Sequence, residues 1–160
     1  MRSRAHGFTL IELLITLALV GIAASVALPF GALVETRAKE AQLRVALRTI
    51  RQALDNYKAA ADAGAIDKPT GTSGFPATLD VLVNGVPRSA ALGFQAKPMV
   101  FLRQVPRDPF FDDKGVPAAQ TWHLRSYGAA PNDFTPGSDI FDVSSKSGRI
   151  ALDGTRLSDW

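Results

Sequence analysis

With 160 residues, 18 basic and 15 acidic side chains, two histidines and no cysteine, the chain has room for one membrane segment and one domain of about 100 residues. The formal charge of +3 falls to +1 once Arg2 and Arg4 are set aside (16 basic against 15 acidic), which is no nucleic-acid footprint. Past position 6 the one histidine is His123. Zinc therefore has no ligand set, and neither a Gly-x-Ser-x-Gly elbow nor a phosphate-binding glycine loop is present.

The chain opens on a short basic leader, residues 1–6, that ends at Gly7. An apolar run follows from Phe8 to about Val34, broken by a single charge, Glu12. As a helix these 27 residues span about 40 Å at 1.5 Å each, ample for a hydrocarbon layer of roughly 30 Å. An ionised carboxylate in such a segment costs about 2.5–3.5 kcal/mol at the bilayer centre and less near its edge. Glu12 therefore calls for a partner. Cleavage after Gly7 supplies one, an α-amino group on Phe8. With the helix starting at Phe8, that amine and Glu12 fall on nearly the same face, four positions apart, and the amine of one chain can neutralise Glu12 of its neighbour. A conventional secretory signal, cut near Ser25-Val26-Ala27, leaves Glu12 unexplained. The basic leader predicts a cytoplasmic N-terminus, with the rest of the chain on the far side. Pro29 lacks an amide hydrogen, so a bent but continuous helix is expected there.

Residues 35–62 read as an amphipathic continuation. Leu43, Ala46, Leu47, Ile50, Ala53, Leu54 and Tyr57 recur at steps of three and four, and charged residues fill most of the remaining surface. Gly64 is the expected cap. A turn-rich loop, 67–74, precedes a short helix expected over 75–83 and stopped by Asn84-Gly85. The prolines of segment 101–110, at 106 and 109, predict an irregular, well-fixed crossover. Alternation predicts strands over 122–127 and 140–144, joined by a long hairpin loop. Trp160 is expected to anchor the tail against the helix or the sheet.

The leader, Gly7, Phe8, Glu12 and Pro29 together resemble the class III signal of type IV pilins and type II secretion pseudopilins. Segment 101–110, with Phe110 in the place of a tryptophan, and the tail with Asp153-Gly154 and Trp160 resemble the major pseudopilin type. The lack of cysteine also leans toward the secretion branch. The resemblance implies an α+β, pilin-like fold: a long N-terminal helix packed on a small antiparallel sheet. Its parts are a cleaved leader at 1–7, a transmembrane and assembly helix at 8–34, an amphipathic helix at 35–62 and a periplasmic globular domain at 63–160.

The resemblance also implies a function. A prepilin peptidase cuts after Gly7 and methylates Phe8. Phe8, Glu12 and Pro29 serve assembly into a homo-oligomeric filament rising from the inner membrane, with other pseudopilins and an assembly platform as partners. Such a subunit helps export folded proteins and is not an enzyme; the alternative is a type IV pilin or minor pilin for adhesion, motility or DNA uptake. Calcium, bound in that family near the last two strands, would fall to Asp153 and Asp159 here. Lys146 and Arg149, beside the corresponding loop, weaken a cation site.

Overall fold

The computed structural model describes residues 8–89, 97–131, 133–135 and 137–160. Helix α1 runs Leu10–Asp62 and α2 runs Leu79–Asn84. Strands β1 (Trp122–Arg125) and β2 (Asp142–Ser145) form one antiparallel pair, and 3-10 turns cover Ala118–Thr121 and Leu157–Asp159. The layout is α+β. The chain divides into two compact units, Met1–Ala38 and Lys39–Trp160.

Within the described part of the first unit there is one element, the N-terminal part of α1. Its backbone remains helical at position 29, so proline does not end the helix there.

The second unit is organised by the apolar stripe of α1. Leu43, Leu47, Ile50 and Leu54 are at most 2% exposed. They pack in one cluster with Leu79 and Leu82 of α2, Trp122 and Val143 of the sheet, and Leu102, Phe110, Ile140, Ala151 and Leu157. Tyr57 is half-buried and its ring meets Phe101 at 5.3 Å between centroids. The helix closes as expected at Gly64, whose φ of +67° suits a residue without a side chain. The Gly64 amide donates to the Ala61 carbonyl (3.1 Å) and the Ala65 amide to that of Ala60 (2.9 Å), so two terminal carbonyls are satisfied in a Schellman arrangement.

Three elements differ from the sequence-based expectation. Helix α2 begins at Leu79 rather than Phe75, and Asn84 is its last residue rather than its stop. The Pro76 carbonyl accepts the Ile140 amide (2.8 Å) and Thr78 is extended, which holds the preceding residues out of the helix. Gly85 at φ +81° ends α2; a side chain there would meet Val100 Cγ2 at 3.0 Å. Strand β1 stops at Arg125, because the Asp139 carboxylate accepts the Tyr127 amide (3.0 Å) and the Ser126 hydroxyl. Strand β2 is displaced toward the C-terminus, to 142–145, with Trp122 opposite Ser145 and Leu124 opposite Val143. Trp122, Val143 and Ser145 are buried on the face that meets α1 and the crossover.

The crossover is fixed by polar contacts. Asp108 is 1% exposed. One carboxylate oxygen accepts the Phe110 amide (2.8 Å), the other the Ser145 hydroxyl (2.6 Å), and the Asp108 amide donates to Thr121 Oγ1 (3.2 Å). Trp122 Nε1 donates to the Pro106 carbonyl at 2.9 Å. The irregular backbone is thus hydrogen-bonded where it is buried, as an interior segment must be.

Replacing Leu47 or Ile50 by alanine in the fragment from about Glu35 onward is expected to cost about 2–5 kcal/mol of stability, measured by chemical denaturation. A loss below about 0.5 kcal/mol at both positions would contradict the packing described.

Candidate functional site

The first turn of α1 is built by two residues of the N-terminal signal. Thr9 precedes the helix, and its hydroxyl accepts the Glu12 amide at 3.2 Å while its carbonyl accepts the Leu13 amide at 3.1 Å. Thr9 is therefore the N-cap and Glu12 the third helical residue. This Thr-x-x-Glu spacing is that of a capping box, a signal in the sequence that marks the helix start. It corrects one expectation: Phe8 is not part of the helix but stands just ahead of the cap, because the Thr9 hydroxyl claims the amide that an earlier turn would use. Phe8 is 81% exposed. Glu12 sits in the first turn, near the positive end of the helix dipole, which favours its charge locally.

Beyond Glu12 the surface is apolar on every side. Leu10, Ile11, Leu13, Leu14, Ile15 and Leu17 are all more than half exposed, as are Leu19, Val20, Ile22 and Phe30. This is one helix long and apolar enough to cross a membrane. Its hydroxyls are satisfied internally: Thr16 donates to the Leu13 carbonyl (2.9 Å) and Ser25 to that of Ile22 (2.7 Å). Neither needs water, which is the condition a lipid environment imposes. Glu12 is the one ionisable side chain between Phe8 and Val34. A side chain added at Gly21 or Gly31 meets nothing within 4 Å, so neither glycine is required by packing inside a single chain. Gly7 and the leader lie outside the described residues, as does the side chain of Pro29.

The tail brings other predicted residues into networks that sequence reading does not show. Asp153 pairs with Arg44 of α1 (3.1 Å) and accepts both the amide (3.0 Å) and the hydroxyl (2.6 Å) of Thr155. Those Thr155 hydrogen bonds first, and the Arg44 charge after them, hold the Asp153 carboxyl below the usual carboxylate range. Asp159 is exposed and accepts the Ser158 hydroxyl at 3.0 Å. Asp142 lies between two guanidinium groups, Arg51 (2.8 Å) and Arg125 (3.0 Å). Among the described residues no three His, Cys, Asp or Glu side chains gather as a metal ligand set.

Trp160 is held as expected. Arg51 donates to its main-chain oxygen (2.6 Å) and Arg44 stacks over its ring at 4.2 Å. Glu40 is a contact that sequence reading missed: 8% exposed, it accepts the Leu152 amide at 2.8 Å and pins the tail to the start of the packed stripe. His123 stacks on Phe134 at 4.7 Å between centroids. Burial first, then the nearby Lys146 charge, lower its pKa below the ordinary histidine value, so it is a neutral packing residue near pH 7.

Residues 2–28 match the family model described as the prokaryotic N-terminal methylation motif. No curated protein and no solved structure matches the chain. The match includes Gly7, Phe8, Glu12 and most of the apolar segment, and stops short of the domain behind it. The chain therefore carries, at its N-terminus, the signal of type IV pilins and pseudopilins.

Proposed function

We propose that this chain is a structural subunit of a type II secretion pseudopilus. It is anchored by residues 8–34 in the inner membrane and then assembled through that segment into a filament that helps export folded proteins. The observation that carries the reading is the combination at the N-terminus: a methylation signal, a capped helix apolar on all sides, and one carboxylate in its first turn. An apolar helix of this kind suits lipid before assembly and a protein core after it. The signal is shared by the pilin branch, so adhesion, motility or DNA uptake is the competing function. The choice of secretion rests on the cysteine-free sequence and on the crossover and tail segments. A deletion strain that loses an exported protein but keeps surface pili supports secretion; the reverse phenotype supports the pilin branch.

Processing is the first test. Intact-mass measurement of membrane-extracted protein is expected to show a chain beginning at Phe8 and carrying one methyl group. An uncut chain in cells containing the peptidase, or one beginning at Leu28, contradicts it.

Glu12 is the second. Once Gly7 is removed, the Phe8 amine stands next to the Thr9 cap and can reach a neighbour's Glu12 at a fixed axial offset. In low dielectric that pair is far stronger than in water, and slipped registers strand both charges. Glu12→Ala is expected to insert and be processed normally but to be lost from filaments and from function, with Glu12→Asp intermediate. Normal assembly and full function of Glu12→Ala would leave the helix as a mere tether for the domain behind it.

For the tail the reading is weak calcium affinity or none, because Asp153 is already paired with Arg44 and bonded by Thr155. Millimolar calcium is expected to leave the thermal midpoint of the fragment from Glu35 where chelator leaves it. A large upward shift abolished by Asp153→Ala or Asp159→Ala would assign a site there.

A further inference from the structure

The tail turns back on itself between Arg149 and Leu157. The Ala151 amide donates to the Thr155 carbonyl (2.8 Å), the Gly154 amide to that of Ala151 (3.0 Å) and the Leu157 amide to that of Arg149 (3.0 Å). Ile150 and Arg156 stand opposite each other across this antiparallel bridge. The residues that follow them, Ala151 and Leu157, are buried in the core. Alternation therefore turns Ile150 and Arg156 outward on one face. Ile150 is 69% exposed, and Leu152, at the bend, is 47% exposed. Together they make a small apolar tip on a hydrogen-bonded turn.

The charges around the tip are basic. Arg156 is exposed and makes no ion pair among the described residues. Arg149 meets Asp112 at 3.5 Å with both side chains more than half exposed, a weak pair that another anion can replace. The one acid of the turn, Asp153, is already taken up by Arg44 and Thr155. An incoming surface therefore meets aliphatic carbon flanked by two available guanidinium groups.

The place of the turn in the chain selects its partner. The Leu152 amide is bonded to Glu40 (2.8 Å), and Glu40 lies six residues beyond Val34, where the apolar run ends. Helix α1 is unbroken between the two and rises about 9 Å over those six residues. The polar headgroup layer outside the hydrocarbon is itself about 5–8 Å deep. With residues 8–34 in a bilayer, a covalent tether keeps the turn close to the headgroups, where even a weak contact is populated. A lipid surface offers acyl carbon to Ile150 and Leu152. It also offers phosphate to Arg149 and Arg156, which a guanidinium binds through paired N–H groups.

We propose that the turn 149–156 is a second, peripheral membrane contact, which docks on anionic phospholipid of the leaflet from which α1 emerges. The contact rests on the membrane-anchor reading above. The absence of native cysteine allows a single label to report on it in the full-length chain. Ile150→Cys, labelled with the polarity-sensitive dye NBD, is reconstituted in vesicles of phosphatidylcholine and phosphatidylglycerol. Its emission is expected to exceed that of a labelled Thr70→Cys control severalfold and to be quenched by nitroxide lipids. Thr70 is exposed in the loop that Lys68 ties to Asp62, about 33 Å along α1 from Glu40. Adding Arg149→Glu and Arg156→Glu, or using phosphatidylcholine alone, is expected to remove most of the gain. Flotation of the vesicles scores incorporation in the same samples. Chains that do not float overturn the anchor reading. Floating chains whose label at position 150 behaves like that at position 70 overturn the contact alone, and an equal gain in neutral vesicles overturns its preference for anionic lipid. Emission that nitroxide lipids do not quench, and that fades as the chains are diluted in the bilayer, assigns the tip to a second copy and overturns the proposal.

Discussion

Leu43, Leu47, Ile50 and Leu54 lie at most 2% exposed along one face of α1, and α2, both strands and the C-terminal turn contribute buried residues to the same cluster. The unit depends on that cluster because there is little else to hold it together. The sheet has two strands of four residues each, and α2 has six residues. Neither a two-stranded ribbon nor a short helix is stable in water by itself. The helix supplies the surface on which both become worth forming, and polar contacts then fix what hydrophobic burial leaves unspecified. Asp108 ties the crossover to β2, Glu40 ties the tail to the helix, and Arg51 joins Asp142, the Val143 carbonyl and Trp160.

Much of this was legible in the sequence, because local periodicity survives folding. The buried stripe read at steps of three and four is the stripe that is buried, and Gly64 closes the helix it was expected to close. What stayed hidden depends on partners distant in sequence. Helix α2 starts late because the Pro76 carbonyl is taken by Ile140, and β1 stops early because Asp139 captures the next amide. Neither can be known before the loops are placed. Glu40 was read among the charges that fill the helix surface and Asp108 was not singled out, since nothing local marks a carboxylate that will meet buried hydroxyls and amides. At the N-terminus the error ran the other way. The Thr9-x-x-Glu12 spacing was in plain view, yet Glu12 was weighed as a membrane charge and not also as a helix-start residue.

The helix-start position of Glu12 is compatible with the assembly role proposed for it. Near the start of a helix the unpaired amides carry partial positive charge, which favours a carboxylate before any partner arrives. The first turn therefore suits an ionised side chain at the edge of a bilayer, where a mid-helix position would not. An assembly partner that brings a full positive charge then improves on a partial one. The capped turn and the apolar helix behind it suit the proposed passage from lipid into a protein core.

The contacts that tie the tail to α1 carry a consequence for time as well as for stability. Arg51 meets Asp142 across 91 residues, Arg44 meets Asp153 across 109, and Glu40 meets Leu152 across 112. Topologies dominated by such distant pairings fold slowly, because loop-closure entropy must be overcome before the contacts form. The membrane segment, by contrast, is complete after the first few dozen residues of synthesis. The N-terminal segment is therefore made well before the domain can close, and for that interval the stripe from Leu43 to Tyr57 lies uncovered. A chaperone that binds apolar helical stripes has its natural target here, at a stage when the folded surface does not yet exist.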